Sequence, residues 1–156
     1  MKESIQLRPA ALEDVDAIFE LLELYTASGI VLKRSKEDIT GYLKNFIVAV
    51  DNGKVCGCCA ARHFGNNLFE VRSLVVSPAY QGKGIGKLLV SFIIDNLDRE
   101  YLSWRLFTLT LQEKFFRSLG FEVVEKEIFP EKIWSDCSKC PKYHCCDEIA
   151  LLLEKK

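Results

Sequence analysis

Residues 77–88 read Ser-Pro-Ala-Tyr-Gln-Gly-Lys-Gly-Ile-Gly-Lys-Leu. They separate an apolar run that ends at Val76 from one that begins at Leu88, and Gly82, Gly84 and Gly86 alternate there with Lys83, Ile85 and Lys87. A strand that ends in a glycine-rich turn and then opens a helix presents free backbone N–H groups and the positive end of the helix dipole. That arrangement binds phosphate. The two lysines add charge beside the anion. Counting excludes two common versions of such a loop. A Walker loop separates its glycines by five positions and follows its lysine with Ser or Thr, whereas Gly82 and Gly86 are four apart and Leu88 follows Lys87. The dinucleotide fingerprint needs a third glycine where Lys87 stands.

Thiols are the second chemical resource. Seven cysteines, an odd number, read as thiols or metal ligands sooner than as a disulfide framework. Cys56, Cys58 and Cys59 sit in the apolar stretch VCGCCAA and are expected as small buried residues. Cys137-x-x-Cys140 followed by Cys145-Cys146, with His144 adjacent, offers enough ligands for zinc. One Cys-x-x-Cys with a compact cluster behind it is a weaker pattern than two spaced pairs, so structural or redox thiols are the preferred reading. His63 and His144 are the only histidines, and neither adjoins an orienting partner that would activate a cysteine nucleophile.

The elements that must position these groups alternate. SIQLR reads as a strand stopped by Pro9. Apolar residues at Leu12, Val15, Ile18, Phe19, Leu22 and Tyr25 have helical spacing with acids opposite. Ser35 followed by Asp38 resembles a capping box that opens a short helix to about Leu43. FIVAV and VCGCCAAR flank the turn DNGK as a hairpin, and Asn66-Asn67 leads into the strand LFEVRSLVV. Gly84 to Leu97 reads as a helix, WRLFTLTL as a strand, QEKFFRSL as a helix closed by Gly120, and FEVVEKE and EIALLLE as strands. Helices separated by strands, with an antiparallel hairpin near the start, predict an α/β mixed sheet flanked by helices.

A chain of 156 residues is most simply one domain, 1–156, with a Cys-rich segment at about 130–147 inside it. Its net charge of −1 gives no electrostatic case for nucleic acid or an anionic membrane surface. No apolar stretch reaches the roughly 18 residues of a spanning helix, and MKESIQLRPA is no signal peptide, so a cytoplasmic protein is expected.

Gln81-Gly82-Lys83-Gly84-Ile85-Gly86 resembles the Q/R-x-x-G-x-G/A motif of the GCN5-related N-acetyltransferases (GNAT). FEVRSLVVSP resembles the family's strand leading into that loop, and FFRSLGF its later helix and turn beside the coenzyme. Nearly all 156 residues, including GIVLKRS, LFTLT and the tail PEKIWSDCSKCPKYHCCDEIAL, resemble a narrower group, the short N-acetylglutamate synthases that lack a kinase domain. The resemblance implies the GNAT fold, acetyl-CoA as cosubstrate, no required metal, and direct acetyl transfer to the α-amine of L-glutamate, the first step of arginine biosynthesis. It implies coenzyme contacts from Leu74, Val75, Val76, Gln81, Gly82, Lys83, Gly84, Ile85, Gly86, Lys87 and Phe116. Expected partners are therefore a small-molecule amine, L-glutamate by the resemblance, with neither nucleic acid nor membrane; a homodimer stays open as the assembly. Acetylation of another small amine or amino acid, and a non-catalytic acetyl-CoA-binding sensor or adaptor, are the alternatives.

The chemistry then assigns roles. An α-amine is mostly protonated at pH 7, so a base must take a proton before attack. Glu70 matches an acidic position the family often uses, and Phe69 and Val71 beside it would raise its pKa by desolvation. A backbone N–H near Leu74 to Val76 would meet the developing oxyanion. Where many members carry a tyrosine to protonate the leaving thiolate, this chain has Phe116, and Leu111 occupies a second such place, so the general acid is unassigned. Arg34 and Arg72 are the candidates for binding a dicarboxylate. Strand alternation puts Arg72 on the same face as Glu70.

Overall fold

The computed structural model describes residues 5–26, 35–125, 128 and 149–156. Their elements run β1 (Ile5–Pro9), α1 (Val15–Thr26), α2 (Lys36–Gly41), β2 (Phe46–Asp51), β3 (Lys54–His63), β4 (Leu68–Val76), α3 (Ile85–Glu100), β5 (Trp104–Thr110), α4 (Glu113–Ser118), β6 (Glu122–Val124) and β7 (Ile149–Lys155). The strands form one seven-stranded mixed sheet in the order β1-β2-β3-β4-β5-β7-β6. Pairing is parallel between β4 and β5 and antiparallel in β1-β2, β2-β3, β5-β7 and β6-β7. The expected mixed sheet with helices is what forms.

Two compact units divide the chain, Met1–Arg62 with Val71–Glu100, and His63–Glu70 with Tyr101–Lys156. In the first, Ile18 and Leu22 of α1 and Ile39 of α2 pack with Phe46, Val48 and Cys58 of β2 and β3, all essentially inaccessible. Each such side chain contributes about 1.5–3 kcal/mol through burial. Asn52 and Gly53, at φ 48° and 81°, make the tight turn that sets the β2-β3 register. The helix expected from Leu12 begins as a 3-10 turn over Leu12–Asp14. The cause is Asp14, whose carboxylate reaches back to accept the Ala11 N–H at 2.7 Å and two bonds from Arg8, at 2.7 and 3.0 Å. Ser35 caps α2 as expected, accepting the Asp38 N–H at 3.0 Å. The helix stops at Gly41, short of Leu43.

The second unit packs Leu68, Phe107 and Ala150 with Phe64, Leu109, Val124 and Leu152 around them. Of the strand expected over 121–127, Glu122–Val124 forms while Phe121 and Glu125 stay outside it, and residues 126–127 lie outside the described residues. Phe121 belongs instead to the closure of α4: its N–H bonds the Phe116 carbonyl at 3.2 Å and its ring is buried against Phe116. Among the described residues no helix is long and apolar enough to cross a membrane.

Candidate active site

The glycine-rich stretch leaves β4 through a 3-10 turn, Pro78–Tyr80, and enters α3. Gly82 and Gly84 take φ 79° and 81°, a region open to glycine and costly for other residues, so these two of the three alternating glycines meet a backbone requirement. The Gly84 carbonyl accepts the first intrahelical bond, from the Leu88 N–H at 3.1 Å. Ile85, Gly86 and Lys87 therefore carry the N–H groups that a helix leaves without intrahelical acceptors, and no acidic residue lies in the first turn of α3 to compete with an anion. These features fit the pyrophosphate of a coenzyme.

Side chains fix the loop's shape. Tyr25, at the end of α1, donates its hydroxyl to the Val76 carbonyl at 2.6 Å and accepts a bond from the Gln81 amide, whose Nε2 also reaches Val76 at 3.4 Å. Tyr80 donates to Asp51 Oδ2 at 2.7 Å, which pushes the Tyr80 hydroxyl pKa up, and the Lys83 ammonium lies over the Tyr80 ring at 5.3 Å. Below the loop, α3 sits close on β3 at Gly57. A Cβ there would lie 3.3 Å from Ile85 Cγ2, Leu89 Cδ1 and the Val75 carbonyl. A side chain there would press on Ile85 and Leu89 and require them to shift by a few tenths of an ångström, so glycine is what lets α3 settle at that depth without adjustment.

β4 carries the remaining expected residues. Val75 is buried in the first unit's core, with Leu74 and Val76 half-buried beside it. Ser73 has φ 54°, an unusual value for a non-glycine residue inside a strand, and it kinks the chain. Arg72 lines a recess with Ala60, and Val75 shares a core cluster with Ala60. Within the second unit, Glu70 is 3% exposed and closes the parallel register of β4 at the pair Glu70↔Phe107. Phe69 is buried and stacks on His63, with ring centroids 4.3 Å apart. Phe116 is buried between Phe115 and Phe121, with edge-on rings at 5.0 and 5.2 Å, and has no proton to give.

Cys56, Cys58 and Cys59 are fully buried, as expected, and burial pushes the Cys56 and Cys59 thiols up, away from nucleophilic thiolates. Among the described residues no group of three or more His, Cys, Asp or Glu side chains gathers as metal ligands. Arg34 and the tail residues Cys137, Cys140, His144, Cys145 and Cys146 lie outside the described residues.

Comparison with known proteins agrees with this geometry. The acetyltransferase (GNAT) domain family matches residues 43–123. Over 94% of its length the chain is 44% identical to an uncharacterized N-acetyltransferase of Chlorobaculum tepidum, 94% of which is covered. It is 33% identical over 80% of its length to an amino-acid acetyltransferase of Mycobacterium tuberculosis, covering 75% of it. Among solved structures it is similar to N-acetylglutamate synthase of Neisseria gonorrhoeae complexed with coenzyme A and N-acetyl-glutamate, with TM-score 0.86 and 27% identity. That match spans 96% of this chain and 35% of the Neisseria chain. The chain belongs to the GNAT acetyltransferase family. It is an N-acetyltransferase that uses acetyl-CoA.

Sequence reasoning missed Tyr25, Asp51 and Gly57. Tyr25 reads as one more apolar position on α1, and only its place in the last turn hints that the hydroxyl reaches beyond the helix. Gly57 reads as an interruption in a strand, a usual mark of close backbone approach.

Proposed function

We propose that residues 1–156 act as one cytoplasmic N-acetyltransferase domain that moves the acetyl group of acetyl-CoA directly to the α-amine of L-glutamate, the first step of arginine biosynthesis. The observation that carries this reading is the likeness to the Neisseria synthase, whose complex holds coenzyme A and N-acetyl-glutamate. The amino-acid acetyltransferase of M. tuberculosis supports it independently.

In this reading the amides of Gly82 to Lys87 hold the pyrophosphate, and Gln81 keeps the loop in shape. Glu70 accepts a proton from the substrate ammonium, directly or through water. The freed nitrogen attacks the thioester carbonyl; the nitrogen then gives its second proton to solvent, the C–S bond breaks, and the coenzyme leaves as its thiolate, which takes a proton from solvent because Phe116 offers none. A backbone N–H between Leu74 and Val76 meets the charge that develops on the carbonyl oxygen. Arg34 and Arg72 engage the substrate carboxylates.

A thiol-release assay with acetyl-CoA over glutamate, glutamine, aspartate, other amino acids and polyamines tests the assignment. Glutamate should lead with at least about tenfold higher kcat/KM, the discrimination of one charge-assisted contact. A different preferred acceptor would overturn it. The 44% identity to an uncharacterized N-acetyltransferase favours a second reading, another small amine on the same coenzyme machinery, which the same panel would reveal.

A further inference from the structure

The glycine-rich turn carries two lysines, and the first unit treats them differently. Lys83 is half-buried, and its ammonium lies 5.3 Å from the centroid of the Tyr80 ring. Lys87 is exposed and, among the described residues, meets neither a ring nor a carboxylate. We infer that Tyr80 and Asp51 are positioning residues for coenzyme binding: Asp51 fixes the phenol, and the ring holds the Lys83 ammonium where it meets a phosphate of the coenzyme. The inference rests on the assignment of the glycine-rich loop to the coenzyme made above.

The anchor begins in the sheet. Asp51 is the last residue of β2 and is paired on both sides, with Ile5 of β1 and Lys54 of β3. The Asn52–Gly53 turn closes directly behind it, so its backbone has little freedom. Asp51 Oδ2 accepts the Tyr80 hydroxyl at 2.7 Å, and a hydrogen bond to a charged acceptor belongs to the stronger kind. The backbone of Tyr80 is held as well, because its N–H bonds the Ser77 carbonyl at 2.8 Å within the 3-10 turn. With both ends fixed, the ring is a rigid platform. Donation to a carboxylate also enriches the phenol in electron density, which makes its face more attractive to a cation. A lysine stem is long and flexible, and ordering it costs rotamer entropy. Here the fold meets that cost before the coenzyme arrives. Among the described residues the Lys83 ammonium forms no ion pair, so its charge is available to an anion.

Coenzyme A is titrated into the protein at low and at high salt, and its Kd is measured by calorimetry for single and paired variants. Lys83→Met should weaken binding about tenfold at low salt and flatten the salt dependence. Tyr80→Leu should weaken it about two- to fivefold, the worth of a cation–π contact at a partly exposed site. Tyr80→Leu combined with Lys83→Met should bind no more weakly than Lys83→Met alone, whereas combined with Lys87→Met the two losses should add. Tyr80→Phe, which keeps the ring and loses the bond to Asp51, should fall between the unaltered protein and Tyr80→Leu. An equal loss from Tyr80→Leu with and without Lys83 would make Tyr80 a merely structural residue and overturn the inference. Tighter binding in Tyr80→Leu would overturn it too, since the ring would then hold Lys83 away from the coenzyme. Unaltered affinity in Tyr80→Phe would remove Asp51 from the device. No effect of Lys83→Met would also overturn the inference but not the loop's assignment, which the coenzyme KM of Gly84→Val tests through the backbone alone.

Discussion

The two ends of β4 lie in different compact units and are built on different principles. Its first three residues, Leu68 to Glu70, pair in parallel with β5, are buried, and present one carboxylate. That end depends on regular strand geometry and packing with Leu106 and Phe107. The other end, Val71 to Val76, is kinked at Ser73 and delivers the chain into a loop held by hydrogen bonds to Tyr25 and Gln81. In the proposed mechanism one end offers a side chain for proton transfer, and the other shapes backbone amides for an anion. A substitution should therefore injure turnover at one end and coenzyme affinity at the other.

The largest expected effect tests the carboxylate end. Glu70→Gln keeps the shape and removes the proton acceptor, so turnover should fall by about 10²–10⁴, the usual contribution of a general base. The acetyl-CoA KM should hardly change, and the acid limb of the pH–rate profile should flatten. Loss of turnover and coenzyme affinity together would mean a damaged strand, and the division of labour along β4 would be broken.

At the amide end the expected pattern is the mirror image. Gly84→Val forces a β-branched residue to φ 81°, a conformation that costs L-residues about 1–2 kcal/mol or more. The acetyl-CoA KM should rise about tenfold or more, with kcat at saturation changed less than threefold. An unchanged coenzyme KM would remove the loop from the coenzyme site.

The smallest effect probes whether the two units can be perturbed separately. Asp14, 5% exposed at its side chain, pairs with Arg8, which is 40% exposed. The Arg8 guanidinium holds the Asp14 carboxyl below its ordinary range, and Asp14 in turn raises the pKa of Arg8. A depressed carboxylate stabilises the fold above its unfolded pKa, about 4, and loses that stabilisation as pH falls through the lower folded value. The raised arginine titrates far above neutral pH and changes nothing in that window. Asp14→Asn should therefore cost about 1 kcal/mol at pH 7, discounted for solvent screening of Arg8, and progressively less below pH 4. Amide exchange should accelerate in β1 and β2 and stay constant in β5 and β7. Equal acceleration in all four strands would show that the units open as one.

The glycine-rich loop was legible because its constraint acts on the backbone. Only glycine satisfies a positive φ cheaply, so the alternation at Gly82 and Gly84 writes the conformation into the sequence. The alternating elements were equally plain, since periodicity reports burial directly. Misreadings arose where a tertiary contact overruled a local pattern: Asp14 reaching back to Arg8 turned a helical start into a 3-10 turn, and the Phe116–Phe121 contact shortened the strand expected from Phe121. Strand alternation gave no warning of the kink at Ser73, because serine, unlike glycine or asparagine, does not mark a left-handed φ in the sequence.

The Tyr25–Val76–Gln81 node ties this local architecture to thermodynamic linkage. Its three groups are a phenol, a peptide carbonyl and a side-chain amide, so the entropy of ordering the start of the loop is lost when the first unit folds and not when coenzyme arrives. Tyr25 is held through α1, which the buried Ile18, Leu21 and Leu22 seat on the core. Under the proposed assignment of the loop, coenzyme affinity and the stability of that core are coupled quantities: loosening α1 on its buried side should weaken coenzyme binding, and bound coenzyme, by reciprocity, should stabilise α1.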